Sequence, residues 1–287
     1  MWHQILVLVH LVRRRYLVQQ VCVYEFLLIS IDFGFNRYML DSLFLFYIGA
    51  CGLCSDADTV NSQSIYSLTF GDGTDQYSKA TPESFGFTTT YTQLNAGPLK
   101  DDAFSFVNAV PPDYTPWLAG GLDHTPDTGN DGSKGYMMIV GADAKPGEIF
   151  RITVNDLVIG SRYEFSAYAA NIVKKGSSLI KPNIRFEVRT ASADKTLLAT
   201  TTSGDIDEYD TLTWVKYGMS FYTTSTSIVL VMISIAPGGS GNDFVVDDIT
   251  LRTCVSSAGA ASCVARKSCV VFAQVSIDYF HVFVLFS

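Results

Sequence analysis

The segment SIVLVMISI, residues 227–235, indicates a β fold because it is almost entirely apolar and rich in β-branched residues. A strand with one face in solvent alternates apolar and polar residues, whereas this run contains only isolated serines. We therefore predict a central strand that is buried on both of its faces.

Runs of strand length continue on both sides of this segment and are separated by Gly, Pro, Asn, Asp or Ser turns. They are SIYSLTF (64–70), AFSFVNAV (103–110), GYMMIVGA (135–142), EIFRITVNDL (148–157), SRYEFSAYAANI (161–172), NIRFEVRT (183–190), TLLATTTS (196–203), TWVKYGMSFYT (213–223) and DFVVDDITLR (243–252). Many alternate with a period of two, and none has helical periodicity over the roughly 12 residues that a helix needs. The spacing predicts an all-β jelly-roll β-sandwich.

The charge of the chain excludes nucleic acid as a partner. The net charge is −8, and a surface that neutralises phosphates needs clustered Lys and Arg. The six cysteines lie only near the two ends, and none occurs between Cys54 and Cys254. A domain of that length is expected to bury enough apolar surface to be stable without a disulfide.

The N-terminal part resembles a targeting segment. Residues 39–57 contain an apolar run after Arg37 and small residues near the end, as a signal peptide does. Residues 1–38 are then an apolar extension that need not be translated. The jelly-roll domain is predicted to cover residues 58–254, and residues 255–287 form a tail to which we assign no structure or function.

Two alternatives to a signal peptide stay open. Residues 16–31 approach the roughly 20 apolar residues of a membrane-spanning helix. The tetrapeptide IGAC, which ends at Cys51, is similar to a lipoprotein cleavage site. Each interpretation places the protein outside the cell or on its surface, with membrane contact only through an N-terminal anchor.

An ordered set of motifs resembles a known group of modules. The motifs are GPLKDDAFSFVN (97–108), GGLDHTPDTGNDGSKGYMMIVGADAKPGEIFRITV (120–154), RYEFSAYAANI (162–172), KPNIRFEVR (181–189) and APGGSGNDFVVDDITLRTC (236–254). Together they resemble the galactose-binding-like jelly-roll modules of bacterial extracellular and surface proteins, which are related to carbohydrate-binding modules. The DHT…GYMM and GNDFVVDDITL pieces are also similar to the signatures of the MAM adhesion domain. The internal paired cysteines of MAM domains are absent from the sequence, and only Cys254 matches a terminal one.

This resemblance implies a structural calcium ion between the turn after the first strand and the last strand. The carboxylates at these two places are Asp72, Asp75, Asp247 and Asp248. Calcium binds six to eight oxygen ligands, which suits acidic turns. Because adjacent strand residues point to opposite faces, we expect only one of the last pair, Asp247, to bind the ion. The alternative is that all four are solvated turn residues.

The resemblance also implies that Asp123 and His124 form a structural turn. No Ser or Cys with a recognisable catalytic motif accompanies His124. Four histidines, two of them near the N-terminus, do not supply a zinc cluster. We therefore predict that the protein is not an enzyme.

Two sets of residues are candidates for ligand binding. On the strands RYEFSAYAANI and NIRFEVR, polar residues alternate with apolar ones, and the polar set includes an aromatic residue. If the strands are adjacent, they present one sugar-binding face; the alternative is an ordinary solvated sheet with ion pairs. The predicted face consists of Tyr168, Asn171, Arg185, Glu187 and Arg189.

The second candidate is the Pro- and Gly-rich segment PPDYTPWLAGG, which is predicted to be a loop. Its Tyr114 and Trp117 are either a platform for a sugar or a plug at the end of the sandwich.

We hypothesise a secreted or surface-bound, non-catalytic carbohydrate-binding module with a structural calcium ion. The alternative hypothesis is a MAM-type adhesion module that binds a cell-surface protein through an apolar patch or a sheet edge.

Overall fold

The computed structural model of the chain describes residues 51–54, 62–125, 132–143, 145–254, 271–277 and 280–286. The predicted extension 1–38 and most of the predicted signal peptide therefore lie outside the described residues. Within the described ranges there is no helix of a length and hydropathy suited to crossing a membrane.

The described residues form strands and one short 3-10 helix, Pro82–Phe85, which confirms the predicted all-β class. The strands are β1 (Ser64–Leu68), β2 (Asp72–Gly73), β3 (Thr92–Gln93), β4 (Ala103–Val107), β5 (Lys134–Gly135), β6 (Met137–Gly141), β7 (Gly147–Val154), β8 (Arg162–Asn171), β9 (Asn183–Thr190), β10 (Leu197–Asp205), β11 (Val215–Tyr222), β12 (Ile228–Ser234), β13 (Phe244–Thr253), β14 (Val271–Ile277) and β15 (Phe280–Phe286). Each run quoted above overlaps one of them.

Two sheets make up the sandwich. The first sheet has the order β11-β8-β13-β6-β4-β3, and β1 also pairs with β13. The second sheet has the order β10-β9-β12-β7. Consecutive strands often lie in different sheets, as in a jelly roll. The pairs β2–β5 and β14–β15 form two further small sheets.

Strand β12 confirms the prediction for SIVLVMISI. It lies between β9 and β7, and every one of its residues is buried. Ile228, Leu230 and Met232 belong to the main core between the sheets, whereas Val229 and Val231 form a small cluster on the other face. A strand with neighbours on both sides and apolar contacts on both faces needs this unbroken apolar sequence.

The main core is filled by the inward faces of both sheets. Phe165 on β8 meets Phe186 on β9 edge to face, with ring centroids 5.4 Å apart. Phe106 and Phe150 belong to the same cluster and are fully buried. Burial of each such side chain contributes about 1.5–3 kcal/mol relative to exposure. The apolar residues that alternate along β8 and β9 thus face one shared core from opposite sides.

A second apolar cluster covers one half of the outer face of the first sheet. Met137, Ile139 and Val245 point outward from β6 and β13, and Trp117 from the loop 108–121 packs over them. The backbone of Leu118 donates to Ile172 O at 2.7 Å, which fixes this loop on the sheet. Only the other half of the outer face is therefore left open.

A disulfide joins Cys54 to Cys254 across 200 residues of sequence. It links the segment 51–54 to the residue that follows β13, and both cysteines are buried. The folded unit thus includes residues 51–54, which precede the predicted domain start at residue 58. The domain also carries a covalent link that we did not expect, because the wide spacing of the cysteines conceals that the two chain segments meet.

Candidate functional site

The open half of the outer face carries polar side chains from adjacent strands. Lys216 on β11 is paired in register with Tyr168 on β8. One row further along, Ser166 on β8 is paired with Thr250 on β13, and the two hydroxyl oxygens are 3.1 Å apart. In the next row Glu164 is paired with Arg252. Outward positions on three strands therefore build one polar surface.

A groove of about 360 Å³ runs over this surface. Its lining residues are Ser62, Ser64, Tyr168, Lys216, Asp248, Thr250 and Arg252. We call this feature the polar groove.

Gly218 leaves the middle row of this surface without a bulky side chain. It is paired with Ser166, and a Cβ atom at Gly218 would lie 2.2 Å from the carbonyl oxygen of Phe165. A side chain at this position is therefore excluded by the neighbouring backbone. The small residues of the row leave space between the longer side chains of Lys216 and Arg252.

Glu164 is the buried charge beneath the polar groove, with an exposure of 0%. Its Oε1 atom accepts hydrogen bonds from Lys216 Nζ at 2.7 Å and from Arg252 Nη2 at 2.8 Å. Its Oε2 atom accepts from the backbone N–H of Cys54 at 2.8 Å. Burial alone would raise the pKa of Glu164, but Lys216, the Cys54 N–H and Arg252 together lower that pKa below its ordinary value. The carboxylate is therefore ionised and holds both cations in place.

The segment 51–54 lies beside this buried carboxylate. The backbone N–H of Cys51 donates to Ser220 O at 2.8 Å, and the N–H of Ser220 donates to Cys51 O at 3.0 Å. The hydroxyl of Ser220 donates to Gly52 O at 2.6 Å. The disulfide of Cys54 thus fastens a segment that supplies one of the hydrogen bonds to Glu164.

A β-bulge on β13 brings Asp247 and Asp248 to the same loop. Asp247 is paired with Tyr168 and Thr250 with Ser166, so two residues of β13 face one residue of β8 between them. Asp248 adopts a left-handed conformation with φ of 49° in this bulge. The strict alternation that we assumed for these two aspartates is therefore wrong, because the bulge turns both carboxylates toward residues 123–125.

Both carboxylates accept hydrogen bonds from this loop. Asp248 Oδ2 lies 2.6 Å from His124 Nδ1, and Asp248 Oδ1 accepts from the hydroxyl of Thr125 at 2.8 Å. Asp247 Oδ2 accepts from the backbone N–H groups of His124 and Thr125, each at 3.2 Å. These contacts fit the structural turn that the sequence motif DHT implied, because they fix the loop on the sheet.

The loop in turn positions the aromatic residue of the polar groove. The imidazole of His124 stacks on the ring of Tyr168, with centroids 3.6 Å apart and an interplanar angle of 17°. The indole of Trp214 meets His124 at 5.9 Å, and its Nε1 donates to Leu122 O at 3.1 Å. One face of the Tyr168 ring is thus occupied by protein, and its orientation is fixed.

Asp247 is fully buried and lies close to two other carboxylates. Burial, followed by the charge of Asp248 and then that of Asp123, raises the pKa of Asp247 to about 8. Its Oδ1 atom is buried without a hydrogen bond. This carboxyl group therefore takes up a proton more readily than an ordinary aspartate does.

The four carboxylates predicted to bind calcium do not converge on one point. Asp72 pairs with Gly135 in the two-stranded β2–β5 sheet, and the backbone carbonyl of Asp75 accepts from the Tyr136 hydroxyl at 2.9 Å. Among the residues that the structure describes, no three His, Cys, Asp or Glu side chains form a group suited to a metal ion. The predicted set does not by itself fit a calcium site, and calcium stays a prediction.

The predicted ligand face of Tyr168 with Arg185, Glu187 and Arg189 is not formed. Tyr168 lies on β8 in the first sheet, whereas the other three residues lie on β9 in the second sheet. The alternation was read correctly on each strand, but both apolar faces fill the same core. Their polar faces therefore point away from each other on opposite sides of the sandwich.

The remaining members of the predicted face have structural contacts. Glu187 is buried between Arg185 Nε at 2.8 Å and Arg189 Nη2 at 2.7 Å. Asn171 is only 2% exposed, its amide N–H donates to Ile206 O at 3.0 Å, and its Oδ1 accepts from Val173 N–H at 2.9 Å. The arginine and glutamate residues form a row of ion pairs along β9, and Asn171 fixes the turn after β8.

The second predicted pair is divided between surface and interior. Tyr114 is 45% exposed, whereas Trp117 is 3% exposed and packs in the outer apolar cluster. Their rings meet edge to face at 4.8 Å. Trp117 therefore plugs the sheet, and only Tyr114 offers a ring to solvent.

Three residues that line the polar groove were not predicted from the sequence, namely Lys216, Arg252 and Thr250. Each lies at an outward position of a period-two strand, so the alternation pattern placed them on a sheet surface. The missing information was strand adjacency: β11, β8 and β13 are neighbours in the sheet but far apart in sequence.

No protein-family model matches the chain, and no curated protein matches it. Among solved structures, the CBM22-1 xylan-binding domain from Paenibacillus barcinonensis is 14% identical, with a TM-score of 0.38 over 68% of this chain and 97% of that one. A Stig cyclase from Fischerella sp. TAU is 11% identical, with a TM-score of 0.40 over 72% and 98% of the two chains. The CBM22-1–GH10 modules of a Clostridium thermocellum xylanase, complexed with xylohexaose, are 15% identical, with a TM-score of 0.35 over 66% and 28%. Carbohydrate-binding domains and a cyclase thus both occur among these weak likenesses, from which we draw neither a family nor an activity.

Proposed function

We propose that the chain is a non-catalytic carbohydrate-binding module and that a glycan binds in the polar groove. The observation that carries the proposal is the composition of this groove, which combines a fixed aromatic ring with charged and hydroxyl groups on a rigid sheet. Tyr168 supplies the ring, Lys216 and Arg252 supply donors, and Thr250 and Ser64 supply hydroxyls. Sugars are recognised by such hydrogen-bonding groups beside an aromatic side chain.

The carboxylates at the groove argue against glycoside hydrolysis. A hydrolase needs one protonated carboxylic acid and a second carboxylate that acts as base or nucleophile. Glu164 has a lowered pKa and is held by two cations, so it does not serve as the acid. Asp248 is held by His124 and Thr125. Glu164 and Asp248 are therefore engaged in positioning the surface. Asp247 has the raised pKa of an acid, but it is fully buried and does not line the groove.

We further propose that the protein is secreted or bound to the cell surface. The Cys54–Cys254 disulfide supports this location, because such links form and persist in oxidising compartments.

The glycan proposal is tested on an array of plant, bacterial and animal glycans with the full chain. We expect binding to one class of sugar, and we expect Tyr168→Ala to weaken it by about tenfold or more, which corresponds to ~1.4 kcal/mol. Tyr222→Ala is the matched control, because Tyr222 is 45% exposed on the same sheet but does not line the groove. An array without signal from the folded protein, or equal loss in both variants, would contradict the proposal.

The calcium prediction is tested separately by thermal unfolding. A calcium ion near Asp247 and Asp248 would need carbonyl oxygens as additional ligands. We expect calcium to raise the melting temperature and a chelator to reverse this, since a ligand at 100 times its Kd stabilises by about 2.7 kcal/mol. Magnesium at the same concentration is the control. An unchanged midpoint of thermal unfolding with excess calcium would contradict the prediction.

A further inference from the structure

A second cleft lies at the end of the first sheet where β4 and β13 begin. It has a volume of about 390 Å³ and has no lining residue in common with the polar groove. The residues that matter here are Lys100, Asp101, Tyr114, Trp117, Asn242 and Asp243. We call it the end cleft.

Asp243 is the fixed carboxylate of the end cleft. The backbone N–H of Ala142 and the indole N–H of Trp117 favour its ionised form. Trp117 is itself buried in the outer apolar cluster, so its indole has a fixed position beside the cleft. Burial, together with the charge of Asp101, raises the pKa of Asp243 to about 6.

Tyr114 forms the aromatic wall of the end cleft. Its hydroxyl donates to Leu99 O at 2.8 Å, and its ring rests on the edge of Trp117. These contacts fix the ring while 45% of the side chain stays exposed. A preformed aromatic surface beside carboxylates attracts cations both through the ring and through the charges.

The segment 239–241, which contains two glycines, forms another part of the wall. A Cβ atom at Gly241 would lie 2.3 Å from the Cβ of Leu179, so this segment lies directly against its neighbour. The wall therefore has no side chain at Gly239 or Gly241 that could fill the cleft. The opening stays accessible to a small molecule.

The charges of the end cleft favour a positively charged ligand. Asp101 and Asp243 repel each other, and Lys100 is the one cationic residue among those that line it. Nearby, Lys174 donates to Thr115 O and Asp113 accepts from Leu99 N–H, so these two charges are engaged at the rim. A cation between the two aspartates removes their repulsion.

We propose that the end cleft binds a small organic ammonium compound of the amino-sugar class. The ammonium group contacts Asp101 and Asp243, and the ring of the ligand packs against Tyr114. This site is independent of the polar groove, so it can exist whether or not the groove binds a glycan.

The test is calorimetric titration of the full chain with glucosamine, and N-acetylglucosamine serves as the uncharged probe. At pH 7 we expect glucosamine to bind at least about tenfold more tightly, as removal of a charge-assisted contact does. At pH 5 Asp243 is protonated while the amine stays charged, so the binding weakens. Equal affinity for the two sugars, or tighter binding at pH 5, would overturn the proposal.

Variants separate this proposal from the glycan proposal. Asp243→Asn keeps the shape of the side chain and is expected to abolish the preference for glucosamine. Asp101→Asn, at an exposed position, gives the same result if Asp243→Asn does not fold. Tyr222→Ala, which lines neither the polar groove nor the end cleft, leaves glucosamine binding unchanged. Unchanged preference in both aspartate variants would show that the end cleft is not the site.

Discussion

Replacing Lys216 and Arg252 together by methionine is expected to lower the free energy of unfolding by about 3–5 kcal/mol, as loss of the partners of a buried charge does. The reason is Glu164, which is completely buried and would be left without a cation. Urea denaturation at pH 7 measures the change. Lys181→Met is the control, because the Lys181–Asp207 pair is on the surface and its loss is expected to change stability little.

The pH dependence of this effect has a definite sign. The pKa of Glu164 is lowered from its ordinary 4.5 in the folded protein. Its ion pairs therefore stabilise the fold fully above the pKa of the unfolded chain, and this contribution is lost as the pH falls through the lower pKa. The stability difference between the wild type and the double variant should shrink in acid.

Glu164→Leu added to the double variant should recover part of the lost stability, because the uncompensated charge is then gone. A double variant as stable as the wild type would show that Glu164 does not depend on its two cations.

Removal of the disulfide by Cys54→Ser with Cys254→Ser is expected to have the second large effect. The link closes a loop of 200 residues, and loop-closure entropy then predicts a loss of about 5 kcal/mol. Cys51→Ser is the matched control, because Cys51 is not part of the disulfide. Denaturation of both variants in urea measures the effect, and an equal midpoint for the wild type with and without reductant would contradict it.

The same change should also weaken binding in the polar groove. Without the disulfide, the segment 51–54 keeps its hydrogen bonds with Ser220 and Glu164 but loses its covalent link to the end of β13. When Cys54 N–H leaves Glu164, the carboxylate that orients Lys216 and Arg252 loses one of its donors. The covalent link between Cys54 and Cys254 thus supports the geometry of the groove.

Local sequence patterns predicted the strands but not their neighbours. The apolar run of β12 and the alternation on β8 and β9 follow from burial, so they were visible in the sequence. The strands β8 and β9 could be neighbours in one sheet or could belong to two facing sheets. The same apolar residues are buried in either arrangement, so the sequence does not distinguish them. For this reason Tyr168 was placed correctly on an outer face but was grouped with residues of the wrong sheet.

The acidic pair on β13 shows a second limit of the sequence. Alternation assigns Asp247 and Asp248 to opposite faces, and the sequence VVDDI contains no glycine to signal a bulge. The bulge arises because the turn DHT offers N–H, hydroxyl and imidazole groups to both carboxylates. Such contacts between residues more than 120 positions apart are properties of the assembled fold.

The most direct test of the account is amide NMR of the full chain during titration with the glycan selected on the array. Binding in the polar groove predicts the largest shift changes at Ser166, Lys216, Gly218 and Thr250. Changes confined to β9 and β10 of the second sheet, with these four amides unmoved, would contradict the assignment of the glycan site to this groove.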